Sequence, residues 1–509
     1  MRWPYLTALG LVLASPVAAA QPAEVPSAEQ VRAAEQALNS VDEDRVRTDQ
    51  AYAGTIADHL IVLQRAAGRS DAQRAAIRYG LVYALAAAGR HDRSQEAADA
   101  LLRADPRDVR AYEVALTGAR LAERWPRVAD LVERAVTALP VAERTTFLTP
   151  ERVGWHMRDM REAGDHQSRA RIAQALLGAG WPGDAEPPSG ADWLRLILID
   201  RALERGEMDA ARRLAGEVQG LSNALRLATD RRYDVLNGNS DRVALVRAAI
   251  EREDRFTAAR LAANPEDTER VIDRAGFLRS IGRDRAVLNL LLPLMSDVRI
   301  VAGRHRRALW LVNEAAYSLV ATGAAGEAVE LMRPLFSLDM NSNPELVNTS
   351  INFVGILWQA GQSAEALQRA ESFMTQGARY ASDYGKMWIY ANATCAATDL
   401  RRTADAQGWL QRMTPIAESN RSAMLQALLC RGDLDGAEPV LLSALADESE
   451  RGSAILWLQD YERQQHADAA QRLRDAFSRL GERPAVRAAL DRIGHRLRLP
   501  MPAVTYGWY

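Results

Sequence analysis

Helical stretches closed by proline recur in this chain at a spacing that points to a repeat: Pro106 and Pro140 each end an amphipathic run, 34 residues apart. Seventeen positions before Pro106, Gly89 opens the segment GRHDRSQEAADALLRADP, a glycine turn followed by small and apolar residues at helical spacing and a proline stop. The arrangement returns around Gly323, Gly361 and Gly432, and more weakly around Gly164, Gly206 and Gly282. A chain of 509 residues exceeds what one hydrophobic core supports, and a repeated helical hairpin accommodates that length. Neither helix of such a hairpin can bury its apolar face alone, so consecutive hairpins must stack.

The offsets around each glycine carry a family resemblance. The unit turning at Gly323 places Ala316, Leu319, Ala328 and Leu335 where the tetratricopeptide repeat pattern expects small and large apolar residues. Around Gly361 the matching residues are Leu357, Ala366, Ala370 and Phe373, and around Gly432 they are Ala437, Leu441 and Ala444. The chain therefore resembles an exported bacterial member of the tetratricopeptide repeat family over most of residues 50 to 480. The resemblance implies an all-α fold, an α-solenoid of stacked antiparallel helix hairpins forming a superhelix, with a concave groove lined by the first helix of each hairpin. Between its limits roughly ten to twelve hairpins fit, at about 34 residues each.

Punctuation divides the chain further. Residues 1–20 carry Arg2, the apolar run LTALGLVLA and Ala18–Ala20, the layout of a cleaved secretory signal. Residues 21–50 read as a leader and first helix, 51–182 as N-terminal repeats, 183–191 (GDAEPPSGA) as a Pro/Gly linker, 192–500 as C-terminal repeats and 501–509 as an aromatic tail. The apolar run is too short to span a bilayer and no later stretch is long enough, so no transmembrane segment is expected in the mature chain. Export to the periplasm or to the outer membrane follows as an expectation. The tail residues Tyr506, Trp508 and Tyr509 are expected to pack as a terminal cap.

Composition excludes several classes. A formal charge of −2 and a pI near 6.4 give no field for nucleic acid. Gly178, Gly180 and Gly183 spell a dinucleotide fingerprint, but a helix precedes them and a proline-rich loop follows, where the motif needs a strand and then a helix. The sole lysine, Lys386, is followed by Met387 and so completes no phosphate loop. His156 and His166 lie ten apart across one turn, and the other histidines are scattered without metal-site spacing. Arg304, His305, Arg306 and Arg307 read as a solvated first turn. No nucleophile elbow or Cys–His pairing appears, so the expectation is no cofactor, no metal and no enzyme activity.

Placing the family's groove positions on this sequence nominates Trp310, Asn313 and Tyr317 in one hairpin, Asn348, Ile351 and Trp358 in the next, and Tyr79 and Tyr83 in the first recognisable one. Aromatics with asparagine suit a peptide backbone or sugar rings. The expected function is an exported scaffold or adaptor for protein partners or an extended peptide, of the kind that supports exopolysaccharide export or outer-membrane assembly. The alternative is a glycan-binding or glycan-processing component that holds a polysaccharide directly.

Cys395 and Cys430, the only cysteines, lie 35 residues apart, one repeat length plus one. They fall at nearly equivalent points on neighbouring first helices, within reach of a disulfide in an oxidising compartment. A pair of buried free thiols is the other reading.

Overall fold

The computed structural model describes residues 26–182, 188–238, 241–295, 297–299, 308–338, 340, 342–343, 345–462 and 468–502. The signal segment, most of the Pro/Gly linker, the cluster Arg304–Arg307 and the aromatic tail from residue 503 lie outside the described residues. The chain divides into two compact units between Glu217 and Val218. The first holds α1 (Ala28–Asn39), α2 (Glu43–Thr48), α3 (Gln50–Arg65), α4 (Asp71–Ala87), α5 (His91–Ala104), α6 (Val109–Leu121), α7 (Trp125–Ala138), α8 (Val141–Phe147), α9 (Pro150–Glu162), α10 (His166–Gly178), α11 (Asp192–Glu204) and α12 (Met208–Gly216). Helix α11 packs on α10 as the next element of the same stack, so the first unit includes helices on both sides of residues 183–191.

The second unit opens with α13 (Leu221–Thr229), α14 (Asp234–Asn237) and α15 (Arg242–Ala263). Hairpins follow in α16 (Thr268–Ser280) with α17 (Asp284–Leu291), α18 (Ala308–Ala321) with α19 (Ala325–Met332), and α20 (Leu346–Gln359) with α21 (Ser363–Gln376). Two more pair α22 (Asp383–Asp399) with α23 (Thr403–Met413) and α24 (Arg421–Cys430) with α25 (Leu434–Ala446). The unit ends in α26 (Arg451–Trp457), β1 (Asp460–Glu462), α27 (Asp468–Gly481), α28 (Pro484–Ile493) and β2 (Arg498–Pro502).

One turn geometry builds the hairpins of both units. Gly89, Gly164, Gly206, Gly282, Gly323, Gly361 and Gly432 all hold positive φ between their two helices. At each, the next residue donates its N–H to the carbonyl five positions back, as Arg90 does to Leu85 at 2.8 Å and Gln362 to Leu357 at 2.8 Å. That bond satisfies a helix-terminal carbonyl while the left-handed residue reverses the chain. Glu123 (φ 52°) and Arg401 (φ 58°) take the same role, with Arg124 bonded to Ala119 and Arg402 to Ala397. Among the described residues this makes nine such turns within helix hairpins, two of them hidden from a search for glycine. The alanines and large apolar residues at the resemblance offsets are buried, Ala316, Ala328, Leu357, Ala366, Ala437 and Leu441 among them.

Arginine stitches neighbouring elements. Arg90, Arg124 and Arg283, each the residue after a left-handed turn residue, reach Asp58, Asp92 and Asp254 on a preceding helix.

The second unit closes on itself. Its last strand β2 pairs in parallel with β1 and packs on α15, near the start of the unit. Asp230 and Gly494 form an antiparallel bridge, the His495 N–H donates to the Thr229 carbonyl at 2.7 Å, and the His495 imidazole meets Asp234 at 2.7 Å. Leu499 and Met501 complete an apolar cluster with Leu221, Leu225, Val246 and Phe277. A side chain at Gly282 would meet Pro502 Cγ at 2.3 Å, so that glycine serves both the turn and the closure. The last helix ends at Ile493, so the final residues of the stretch read as repeats, from Arg498 on, form a strand instead.

Candidate interaction face of the second unit

The first helices α16, α18, α20, α22 and α24 pack side by side in order, with α27 next to α24. Each follows an antiparallel second helix, so they run parallel and their N-terminal ends share one edge. A helix held by two neighbours of its own kind and by its hairpin partner has few positions left for solvent. In α20, Leu346 to Trp358 are buried apart from Asn348; in α18, only Trp310 is half-exposed.

The residues nominated for a groove are therefore mostly inside. Tyr317 is buried, and the Arg279 guanidinium lies 5.2 Å from its ring centroid while pairing with Glu314. Asn313 is fully buried, and neither its amide nitrogen nor its oxygen has a hydrogen-bond partner among the described residues. Ile351 packs toward α22, where a side chain at Gly385 would meet its Cδ1 at 3.0 Å. Trp358 is 4% exposed, and its Nε1–H donates to Asp399 Oδ2 at 2.9 Å. Arg472 of α27 donates to the same carboxylate at 2.8 Å. Helix α27 touches α20 as well as α24, so it leans back over the row rather than only extending it. In the first unit Tyr79 donates its hydroxyl to Asp108 and joins one core cluster, while Tyr83 joins another. Burial raises both phenols above their ordinary pKa. Neighbours one turn apart on α4 thus serve two different packing contacts.

Cys395 and Cys430 are joined by a disulfide, with their Cα atoms 5.1 Å apart, tying α22 to α24. Beside it, Gln426 Nε2 donates to Asn392 Oδ1 at 2.8 Å, and a side chain at Gly355 would meet the Asn392 amide at 3.1 Å. The glycine in α20 lets the asparagine of α22 sit close, and that asparagine engages the glutamine of α24. A buried amide pair fixes the relative register of the helices, because sliding would leave both groups unpaired.

What the row leaves open is its N-terminal edge. Trp310 is half-exposed on α18, Asn348 is exposed on α20, and Tyr384 is 41% exposed in the first turn of α22. Tyr380 adds a 36% exposed ring just before that helix, with the Arg379 guanidinium 4.8 Å from its centroid. Ser382 caps α22 by accepting from the Gly385 N–H at 3.3 Å, which leaves the tyrosines on either side of the cap projecting from a fixed helix end. Sequence offsets supplied Trp310 and Asn348 but passed over Tyr380 and Tyr384, whose signal is aromatic residues flanking an N-cap serine. Rigid amphipathic rings with an asparagine can stack on and hydrogen-bond to a peptide.

Among the described residues no group of three or more His, Cys, Asp or Glu side chains is placed to hold a metal ion, and no helix is long and apolar enough to cross a membrane. No protein-family model matches the chain, and no curated protein does. Among solved structures the chain is similar to one described as Naa15/Naa10 bound to HypK-THB, with a TM-score of 0.27, 13% identity, and 91% of this chain and 86% of that chain covered. It is also similar to the APC/C hetero-tetramer Cut9-Hcn1, with a TM-score of 0.20, 12% identity, and 92% of this chain and 99% of that chain covered. At these TM-scores neither likeness bears on what the chain does.

Proposed function

We propose that this chain is a non-catalytic scaffold, exported to the bacterial cell envelope, that holds protein partners on the N-terminal edge of the helix row in its second unit. The observation that carries the reading is that edge: Trp310, Asn348, Tyr380 and Tyr384 stand at the ends of three adjacent parallel helices whose other surfaces are consumed by packing. Parallel helix ends held by hairpin packing and by the Cys395–Cys430 bridge present these groups at fixed spacing, which lowers the entropy lost on binding. The N-terminal leader sequence and the disulfide both suit an oxidising compartment outside the cytoplasm. A role in exopolysaccharide export or outer-membrane assembly is the setting in which such a scaffold would serve.

The test is recovery of partners from envelope extract on the immobilised mature chain, beside a Trp310→Ala, Tyr384→Ala variant, with bound material analysed for protein and carbohydrate. A discrete protein lost on the variant supports the reading; equal recovery, or carbohydrate alone, contradicts it.

A further inference from the structure

The first unit carries a cleft of about 890 Å³ that no part of the scaffold reading uses. Helices α7, α10, α11 and α12 supply most of its lining, with Arg144 from α8. Ala170, Ala175, Gly178, Ala179, Ala202 and Ala210 make room between the helices, and Val136, Leu198 and Leu214 give the walls an apolar character. Five arginines converge there, Arg144, Arg171, Arg201, Arg205 and Arg213, against two glutamates, Glu133 and Glu207.

The arginines are not equally committed. Arg171 is spent on Glu133 at 2.6 Å and Asp130 at 2.5 Å and acts as wall. Arg144 gives one nitrogen to the Val136 carbonyl at 2.8 Å, and Arg201 gives one to Glu204 at 2.7 Å while its buried Nε has no partner. Arg205 meets Glu207 only at 3.9 Å, and Arg213 makes no ion pair within the described residues; both are exposed. One guanidinium without an ion pair, one held only at 3.9 Å and two that are partly engaged line one cleft. Guanidinium donors in a fixed fork match carboxylates.

We propose that this cleft binds an acidic peptide segment of a partner protein, one that alternates carboxylate with small or aliphatic side chains. The carboxylates would pair with Arg201, Arg205 and Arg213, and the aliphatic side chains would sit on Leu198, Leu214 and the alanines. A peptide fits better than an anionic glycan or a nucleic acid because no aromatic ring lines the cleft. Sugars and bases draw on stacking platforms, whereas this lining offers only cations and aliphatic surface. The site is separate from the helix edge of the second unit, and its failure would leave that reading untouched.

The experiment titrates the mature chain with a fluorescein-labelled peptide of repeating Glu, Ala and Leu, with the Gln-for-Glu peptide and a labelled polyuronate as parallel probes. The expected result is saturable binding of the acidic peptide that weakens with added salt, a loss of about tenfold or more in affinity for Arg205→Glu, Arg213→Glu, and weak binding of the other two probes. Circular dichroism of the variant should match the parent, since both arginines are exposed and the one pair removed, Arg205–Glu207 at 3.9 Å, is a solvated surface contact. An unchanged affinity in the variant, equal binding of the Gln peptide, or tighter binding of the polyuronate would each overturn the proposal.

Discussion

Trp358 donates its indole N–H to the carboxylate of Asp399 at 2.9 Å, and Arg472 closes on that carboxylate from a third helix. A tryptophan whose position suggests an open groove is instead the anchor that holds α20, α22 and α27 together. Replacing Asp399 by Ala leaves a buried indole N–H unpaired and frees Arg472. The expected cost is about 1–3 kcal/mol, read as a lower midpoint in urea unfolding. Arg472→Ala removes only the more exposed partner and should cost less. An Asp399→Ala variant as stable as the parent would show that the clamp contributes nothing.

The hairpins were legible because glycine at the turn is a local requirement: a left-handed residue is needed wherever the second helix folds back, and seven of the nine turns use glycine. Glu123 and Arg401 fill the same position without it, so their hairpins α6–α7 and α22–α23 gave no glycine to find. Their trace lay in the buried Val128 and Ala406, five residues past the turn. The groove was less legible. Spacing located Tyr317, Ile351 and Trp358 on the right helices, but which side a neighbouring helix covers depends on α27 and on the closure by Leu499 and Met501, contacts that local periodicity does not encode. The closing strand RLPMP carries two prolines and packs on α15, far back in the chain, so nothing in its own composition announces it.

The turn argument predicts opposite signs at equivalent positions. Glu123→Gly and Arg401→Gly should each stabilise the fold by about 1 kcal/mol, by relieving a left-handed conformation that costs a side-chain-bearing residue roughly that much. Gly323→Ala should cost about the same; an added Cβ there meets nothing within 4 Å, so the loss is backbone alone. Gly282→Ala should cost more, because Pro502 occupies the space. Unfolding midpoints that ignore these substitutions would contradict the shared geometry.

Loss of the Cys395–Cys430 bridge, by reduction or by a double Ala substitution, should lower stability by about 2–4 kcal/mol, given a loop of this length. Protein from the oxidising compartment should offer no alkylatable thiol until it is unfolded and reduced. Two reactive thiols in untreated protein would contradict the bond.

His156 gives the first unit a pH signature. It is buried beside Arg120 and Arg152, and desolvation foremost holds its imidazole down to about 4 from an ordinary 6.5. The folded state keeps it neutral, while the unfolded chain takes up a proton below 6.5. Its contribution is therefore full above pH 6.5 and is lost as the pH falls toward 4, on the order of 3 kcal/mol across that window. His156→Leu should flatten this part of the stability profile. The same slope in parent and variant would mean that the imidazole is not held neutral.

The scaffold reading is tested most directly in living cells, with a photoreactive phenylalanine analogue at Tyr384 and, as a control, at the exposed Glu371 on the second helix α21. The account predicts a discrete protein adduct at Tyr384, little at Glu371, and loss of the Tyr384 adduct when Trp310 is changed to Ala. No protein adduct at Tyr384, or equal adducts at both positions, would contradict it.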